Sequence, residues 1–185
     1  MLDLVMRLKE GAESCTLILK DPELSHVLCD LGDVMPAHQL VVLIRDPRDV
    51  IASFKRVTLR KQEPWDIEAS IKTAYSYYHG IHLYRKEAEA NACFVRYEDL
   101  IAHGLDDLRN FLELPGPLAS EDDTKVLQDV MSHLDKDDPF FSDLYLKPTT
   151  SDAIGAYRAT LSRDEISQVE RVFSGVLSTW RYQIA

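Results

Sequence analysis

The chain has 185 residues, 45% of them hydrophobic, and a formal net charge of −10 at pH 7. This length is enough for one domain with a real core, and the composition is ordinary for a globular protein. The acidic balance argues against general nucleic-acid binding, because the phosphate backbone attracts basic surfaces. No apolar run approaches the ~20 residues that span a bilayer, so we expect no membrane association.

Cysteine usage and the N-terminal pattern indicate the compartment. Cys15, Cys29 and Cys93 are far apart and form no C-x-x-C pair. They are typical of buried thiols in a reducing environment, and no Cys/His cluster suggests a metal. Residues 1–13 are amphipathic, with charges interspersed, and do not resemble a signal peptide. We therefore expect a cytoplasmic protein without a metal ion.

The first part of the chain alternates helical and strand patterns. Apolar residues at helical spacing predict a helix over Leu2–Lys9, and the β-rich run Thr16–Leu19 predicts a short strand. A second helix is predicted over Glu23–Leu31, where Gly32 breaks it. The apolar run Gln39–Ile44 is typical of a buried strand in a parallel sheet.

The most informative segment follows this strand, with the sequence RDPRDVIAS at residues 45–53. Pro47 suits the first turn of a helix, which is predicted to continue to about Leu59. Arg45 then lies at the carboxyl end of a strand, the edge where open α/β sheets bind ligands. With the Ser53 hydroxyl, its guanidinium can clamp a phosphate.

A cluster of basic residues surrounds this junction, and its local positive field suits a small anionic ligand. The alternative for Lys55–Lys61 is a solvated helix face. The cluster comprises Arg45, Arg48, Lys55, Arg56, Arg60 and Lys61.

The alternation of strands and helices continues to the C-terminus, which predicts an α/β protein with a three-layer parallel sheet and helices on both faces. Ser162 and Glu165 form a capping box at the start of the last helix. The predicted elements are a helix over Trp65–Ala90, a strand over Cys93–Arg96, and helices over Leu105–Leu112, Asp122–Leu134 and Arg163–Tyr182.

Residues 45–53 resemble the 3'-phosphate-binding motif of sulfotransferases that use 3'-phosphoadenylyl sulfate (PAPS). In that family the first arginine and the serine eight residues later hold the 3'-phosphate, which implies these roles for Arg45 and Ser53. The strand that ends in Tyr97-Glu-Asp is similar to a second family element, whose tyrosine packs near the adenine. An aromatic side chain at a strand end is suited to stacking on a base.

A third resemblance lies at Lys20-Asp-Pro22, where the family has a strand ending in a lysine near the transferred sulfate. The resemblance implies that Lys20 approaches the sulfuryl group. In the cytosolic members, a histidine two residues after this lysine is the general base. Here Pro22 occupies that position, and proline cannot accept a proton. His26, one turn on, is the candidate base that remains. Asp21 and Glu23 are further candidates, or caps of the following helix.

A fourth resemblance covers the C-terminal region. Gly155-Ala-Tyr157-Arg158 is similar to the Gly-x-Trp-Arg/Lys segment of the family, and Trp180-Arg-Tyr182 to its final helix. The family's basic triplet before this glycine also binds the 3'-phosphate, but Thr150, Ser151 and Asp152 stand here. Arg158 is the candidate replacement, with Ser151 and Lys147 as alternatives.

The resemblance covers about residues 16–185 and implies a single sulfotransferase-like domain over 1–185, with the P-loop-NTPase-like sulfotransferase fold. Such a protein binds PAPS or its product PAP and transfers a sulfuryl group to a small-molecule alcohol, phenol or amine. A homo-oligomer is compatible with this. The family's Gly/Ser/Thr-rich loop for the 5'-phosphosulfate is not found, since Gly11 lies between glutamates. We therefore expect an N-terminally truncated form whose activity alone is in question.

Two alternatives stay open. A non-catalytic nucleotide-binding domain of the same fold, serving as a scaffold, is favoured by the missing loop and the missing base. A phosphoryl-transfer enzyme would need the G-x-x-x-x-G-K-S/T loop, which the sequence lacks.

Overall fold

The computed structural model describes residues 22–34, 39–87, 92–104, 106–112 and 151–183. Three short 3₁₀ turns cover Pro22–His26, Leu28–Asp30 and Ser151–Ala153. The two strands are β1 Leu40–Ile44 and β2 Ala92–Arg96. The helices are α1 Leu31–Val34, α2 Pro47–Arg60, α3 Ile67–Glu87, α4 Tyr97–His103, α5 Asp106–Phe111, α6 Tyr157–Thr160, α7 Arg163–Val172 and α8 Ser174–Thr179.

Strands β1 and β2 pair in parallel, with Leu40 opposite Ala92 and Ile44 opposite Arg96. Each strand leads directly into a helix, which confirms the predicted α/β class and its parallel sheet. Because parallel strands end at the same edge, the junctions after Ile44 and after Arg96 are neighbours. This edge brings together the two segments for which the sequence predicts ligand binding.

The core lies against one face of β1. Val42 and Ile44 on that face are buried, while Leu43 on the opposite face is 49% exposed. Helix α2 contributes Ile51 and Ala52 to the same cluster. The cluster is completed by residues of α3 and of the C-terminal helices, among them Ala74, Tyr78, Tyr157, Leu161, Val169, Phe173, Leu177 and Tyr182.

Two of the helix predictions are wrong, because each region forms several short elements instead of one continuous helix. Instead of one helix over Glu23–Leu31, the chain makes two 3₁₀ turns and the short helix α1. The predicted helix over Arg163–Tyr182 breaks at Phe173, whose backbone (φ −96°, ψ 16°) leaves the helical region. Phe173 is fully buried with its ring 5.4 Å from that of Tyr78, so the break accompanies the entry of its side chain into the core.

The strands and the helices α2, α3 and α5 agree with the predictions to within a few residues, whereas the 3₁₀ turn Ser151–Ala153 and helix α6 have no counterpart among them. Helix α3 begins at Ile67, close to the predicted Trp65, and the capping box of α7 is present, with both Ser162–Glu165 hydrogen bonds formed. The predicted elements Leu2–Lys9, Thr16–Leu19 and Asp122–Leu134 lie outside the described residues. Among the helices that the structure describes, none is both long and apolar enough to cross a membrane.

Gly80 explains how the first 3₁₀ turn packs on α3. A Cβ at this position would overlap the backbone carbonyl oxygen of Ser25, so only glycine permits the approach. We expect Gly80→Ala to lower the free energy of unfolding by about 1–3 kcal/mol, because a backbone atom must move, although helix propensity alone favours alanine. Urea denaturation measures this difference.

Gly175 provides the matched control, since a Cβ there meets nothing within 4 Å. Gly175→Ala is expected to be neutral or stabilising by up to about 1 kcal/mol. Equal stability of wild type and Gly80→Ala would contradict the close packing of Ser25 on α3.

Candidate functional site

Side chains of α3 and α4 form hydrogen bonds with the backbone at the end of β1. Asp46 is the N-cap of α2, where its side chain accepts a hydrogen bond from the Arg48 N–H, and Pro47 occupies the first turn. The Asp46 N–H donates to Glu98 Oε1 at 3.1 Å, which ties β1 to the start of α4. The Tyr78 hydroxyl donates to the Arg45 carbonyl. Burial raises the pKa of Tyr78, so it stays a protonated donor.

Arg45 projects from this fixed backbone. Its Nη2 donates to the Ala153 carbonyl at 2.6 Å, and its guanidinium lies 5.0 Å from the centre of the Tyr97 ring. Its Nε is buried and, within the described part of the chain, has no hydrogen-bond partner. The structure therefore brings two of the predicted site residues, Arg45 and Tyr97, into contact.

Residues 155–157 in the C-terminal part of the chain pack against this edge through hydrogen bonds to Asp49. Asp49 Oδ2 accepts from the Gly155 N–H at 2.8 Å, and Oδ1 accepts from the Tyr157 N–H at 2.9 Å. Gly155 has φ +72°, a conformation that favours glycine, and the Arg158 guanidinium fills the space where a Cβ would stand. Arg158 also packs 4.7 Å from the Tyr157 ring centre. The predicted Arg158 is thus held next to the Gly155 backbone.

Ser53 is half-buried in α2, one turn beyond Asp49. Residues four apart lie on the same face of a helix, so Ser53 and Asp49 share the side of α2 that faces residues 155–157. Ser151 and Asp152 are exposed in the 3₁₀ turn of this segment, while Thr150 and Lys147 lie outside the described residues.

Two basic residues of the cluster predicted around Arg45 form ion pairs within the protein and are not available to a ligand. Arg48 is buried, and its Nη2 and Nη1 lie 2.7 Å and 2.6 Å from carboxylate oxygens of Asp46 and Glu170. Burial lowers its pKa, but the bonds to Asp46 and Glu170 outweigh this effect and leave the pKa raised. Lys55 pairs with Glu165 at 2.8 Å. These two cations neutralise internal carboxylates, which a count of charges along the sequence cannot reveal.

His26 belongs to the first 3₁₀ turn, which packs on α3. Its Nε2 is 3.5 Å from Glu23 Oε2, and its ring centre is 4.9 Å from that of Tyr77. The Tyr77 hydroxyl donates to the other Glu23 oxygen at 2.6 Å. These contacts place the imidazole beside the Glu23 carboxylate and the Tyr77 ring. Lys20 and Asp21 lie outside the described residues.

Three residues that organise the site are not indicated by the sequence pattern, namely Asp49, Tyr78 and Glu98. Asp49 is 1% exposed although it is charged, and nothing in its local sequence distinguishes it from an ordinary first-turn acid. Glu98 is also typical of a first-turn acid, but it accepts from the Asp46 N–H and from the Tyr182 hydroxyl, the latter at 2.8 Å. Burial raises the pKa of Tyr182, so this hydroxyl stays a donor.

Two cavities lie elsewhere, between α3 and the C-terminal helices. They measure about 350 and 230 Å³ and share Tyr75 and Val172 in their walls. The aromatic residues of α3 therefore line a groove as well as the core. No group of His, Cys, Asp or Glu side chains in the described ranges is arranged to hold a metal ion.

Comparisons with known proteins identify the family and the fold. The model of the sulfotransferase family matches residues 1–116, more than half of the chain. Among solved structures, the sulfotransferase domain from the curacin biosynthetic pathway superposes with a TM-score of 0.69. That match has 19% sequence identity and covers 100% of this chain and 69% of the other. No curated protein matches the chain. The chain therefore has the sulfotransferase fold and belongs to the sulfotransferase family.

Proposed function

We propose that the protein is a single-domain, PAPS-dependent sulfotransferase in which Arg45 and Ser53 bind the 3'-phosphate of the nucleotide. The buried Nε–H of Arg45, unpartnered among the described residues, is the observation that carries this proposal. An unsatisfied buried donor costs about 1–3 kcal/mol, and a phosphate oxygen would satisfy it with a charge-assisted bond. This unpartnered donor supports a phosphate ligand at Arg45.

The remaining residues have complementary roles in this proposal. Tyr97 would pack against the adenine, and Arg158 would add positive charge near the phosphate. When bound, PAPS supplies the sulfuryl group that is transferred to an acceptor alcohol, phenol or amine. Lys20 stabilises the charge on the transferring group, and His26 is the proposed base that takes the acceptor proton.

Calorimetry with two nucleotides tests the phosphate site. Wild-type protein is expected to bind PAP more tightly than AMP, which lacks the 3'-phosphate. Arg45→Ala should weaken PAP binding by about 10- to 100-fold, the equivalent of one or two charge-assisted hydrogen bonds, and leave AMP binding unchanged. Arg56→Ala, at an exposed position on the same helix, is the control and should bind both as wild type does.

Equal affinity of the wild type for PAP and AMP would overturn the proposed site. A second candidate, a non-catalytic PAP-binding domain, is favoured by Pro22 at the position of the usual base. Transfer of labelled sulfate from PAPS to a panel of alcohols, phenols and amines separates the two. The enzyme labels at least one acceptor, and the scaffold binds PAP without labelling any.

A further inference from the structure

Asp49 is a buried carboxylate for which the proposed function has no role so far. It is 1% exposed, and each of its oxygens accepts one backbone N–H, from Gly155 and from Tyr157. A buried carboxylate is costly unless such bonds compensate its lost hydration. Because both donors belong to one short segment, Asp49 fixes the position and the direction of that segment against α2.

The segment held by Asp49 also restrains Arg45. Ala153, two residues before Gly155, accepts the hydrogen bond from Arg45 Nη2 at 2.6 Å. The guanidinium is planar, so fixing Nη2 on one acceptor fixes the direction of Nε–H as well. Arg45 and Asp49 are four residues apart across the start of α2, so the contacts form a closed ring of backbone and side-chain bonds.

We propose that Asp49 is the positioning residue of the 3'-phosphate site: through Gly155 and Tyr157 it holds the Ala153 carbonyl on Arg45 and so aims Arg45 Nε–H at the anion. This inference rests on the proposed function. Asp49 places Arg158 by the same bonds, because the Arg158 guanidinium packs over Gly155 and along the Tyr157 ring.

The ratio of PAP affinity to AMP affinity in Asp49→Asn tests this role. Asparagine keeps the shape of the side chain but turns an NH₂ group towards one of the backbone donors. We expect PAP affinity to fall about tenfold, as for one charge-assisted hydrogen bond, while AMP affinity is unchanged. A loss of folded protein would weaken both ligands equally and leave the ratio intact. An unchanged ratio in folded Asp49→Asn would overturn the proposal.

Glu165→Gln is the matched control, since Glu165 is another largely buried carboxylate whose bonds go to Lys55, Trp65 and Ser162. It should lower stability and keep the ratio of the two affinities. If this variant lost the ratio as well, the effect would belong to general loosening of the fold and the assignment of Asp49 would be wrong.

Two further measurements keep the outcome decisive. If Asp49→Asn does not fold, amide hydrogen exchange of the wild type replaces it: PAP should slow exchange at Gly155 and Tyr157, and unchanged rates would refute the coupling. If the wild type shows no preference for PAP over AMP, the proposed function fails. The NMR signal of Arg45 Nε–H then tests the positioning role of Asp49 separately. It should shift in Asp49→Asn and not in Glu165→Gln, and an unshifted signal would refute the positioning role.

Discussion

Replacing Arg48 by methionine is expected to lower the free energy of unfolding by about 3–5 kcal/mol, because it leaves two partly buried carboxylates without their cation. The Arg48 side chain is 3% exposed, and those of Asp46 and Glu170 are 9% and 13% exposed. The same guanidinium lies 4.5 Å from the Tyr157 ring centre, so the variant also loses packing on the C-terminal segment. Urea denaturation at neutral pH measures the change.

Two further variants serve as comparisons for this prediction. Arg56→Met removes an exposed charge from the same helix and should change stability by no more than about 0.5 kcal/mol. Arg48→Met combined with Glu170→Gln should be more stable than Arg48→Met alone, because the carboxylate that faced the lost guanidinium is gone. A loss below 1 kcal/mol in the single variant would show that the three charged groups are not coupled as the structure describes.

Glu165 is expected to make stability fall as the pH is lowered from about 4.5 to about 2. Burial alone would raise its pKa, but hydrogen bonds from Lys55, the Ser162 backbone and Trp65 outweigh this and lower the pKa to about 2. A carboxyl with a depressed pKa in the folded state stabilises above its unfolded pKa of 4.5 and loses this contribution on protonation. Because solvent partly screens this carboxylate, we expect the contribution to be about 1–2 kcal/mol, less than the full shift would give.

The difference in unfolding free energy between wild type and Glu165→Gln, followed from pH 7 to pH 2, measures this contribution. It should be largest above pH 5 and approach zero near pH 2, where the protonated glutamic acid resembles glutamine. Asp164→Asn, at an exposed position in the same helical turn, should change stability by at most about 0.5 kcal/mol. A difference that does not vary with pH would contradict the depressed pKa.

The local features of the site could be predicted from the sequence because each depends on neighbouring residues. An apolar run followed by proline places Arg45 at a strand end, and the structure has β1 ending at Ile44 and α2 beginning at Pro47. The capping box of α7 likewise depends on Ser162 and Glu165 alone. Such patterns report periodicity and capping, which are properties of short windows.

The partners of these residues could not be predicted, because they come from distant segments. Nothing around Arg45 indicates that Ala153 accepts its hydrogen bond, and nothing around Asp49 indicates Gly155. The 3₁₀ turns near Ser25 have the same origin, since they fit a backbone approach at Gly80 that periodicity does not encode. The charge that a segment presents to a ligand cannot be predicted locally for the same reason. Arg48 and Lys55 belong to a basic run in the sequence, but acids from α7 neutralise them.

The contacts that restrain Arg45 join parts of the chain that are far apart, which affects the order in which they form. Arg45 and Ala153 are separated by 108 positions, and Asp46 and Glu98 by 52. Closing a longer loop costs more entropy, and non-local contacts tend to form late in folding. During synthesis on a ribosome, the end of β1 can therefore pair with β2 while the Arg45 guanidinium is still unrestrained. Its geometry is completed only when residues 153–157 have emerged.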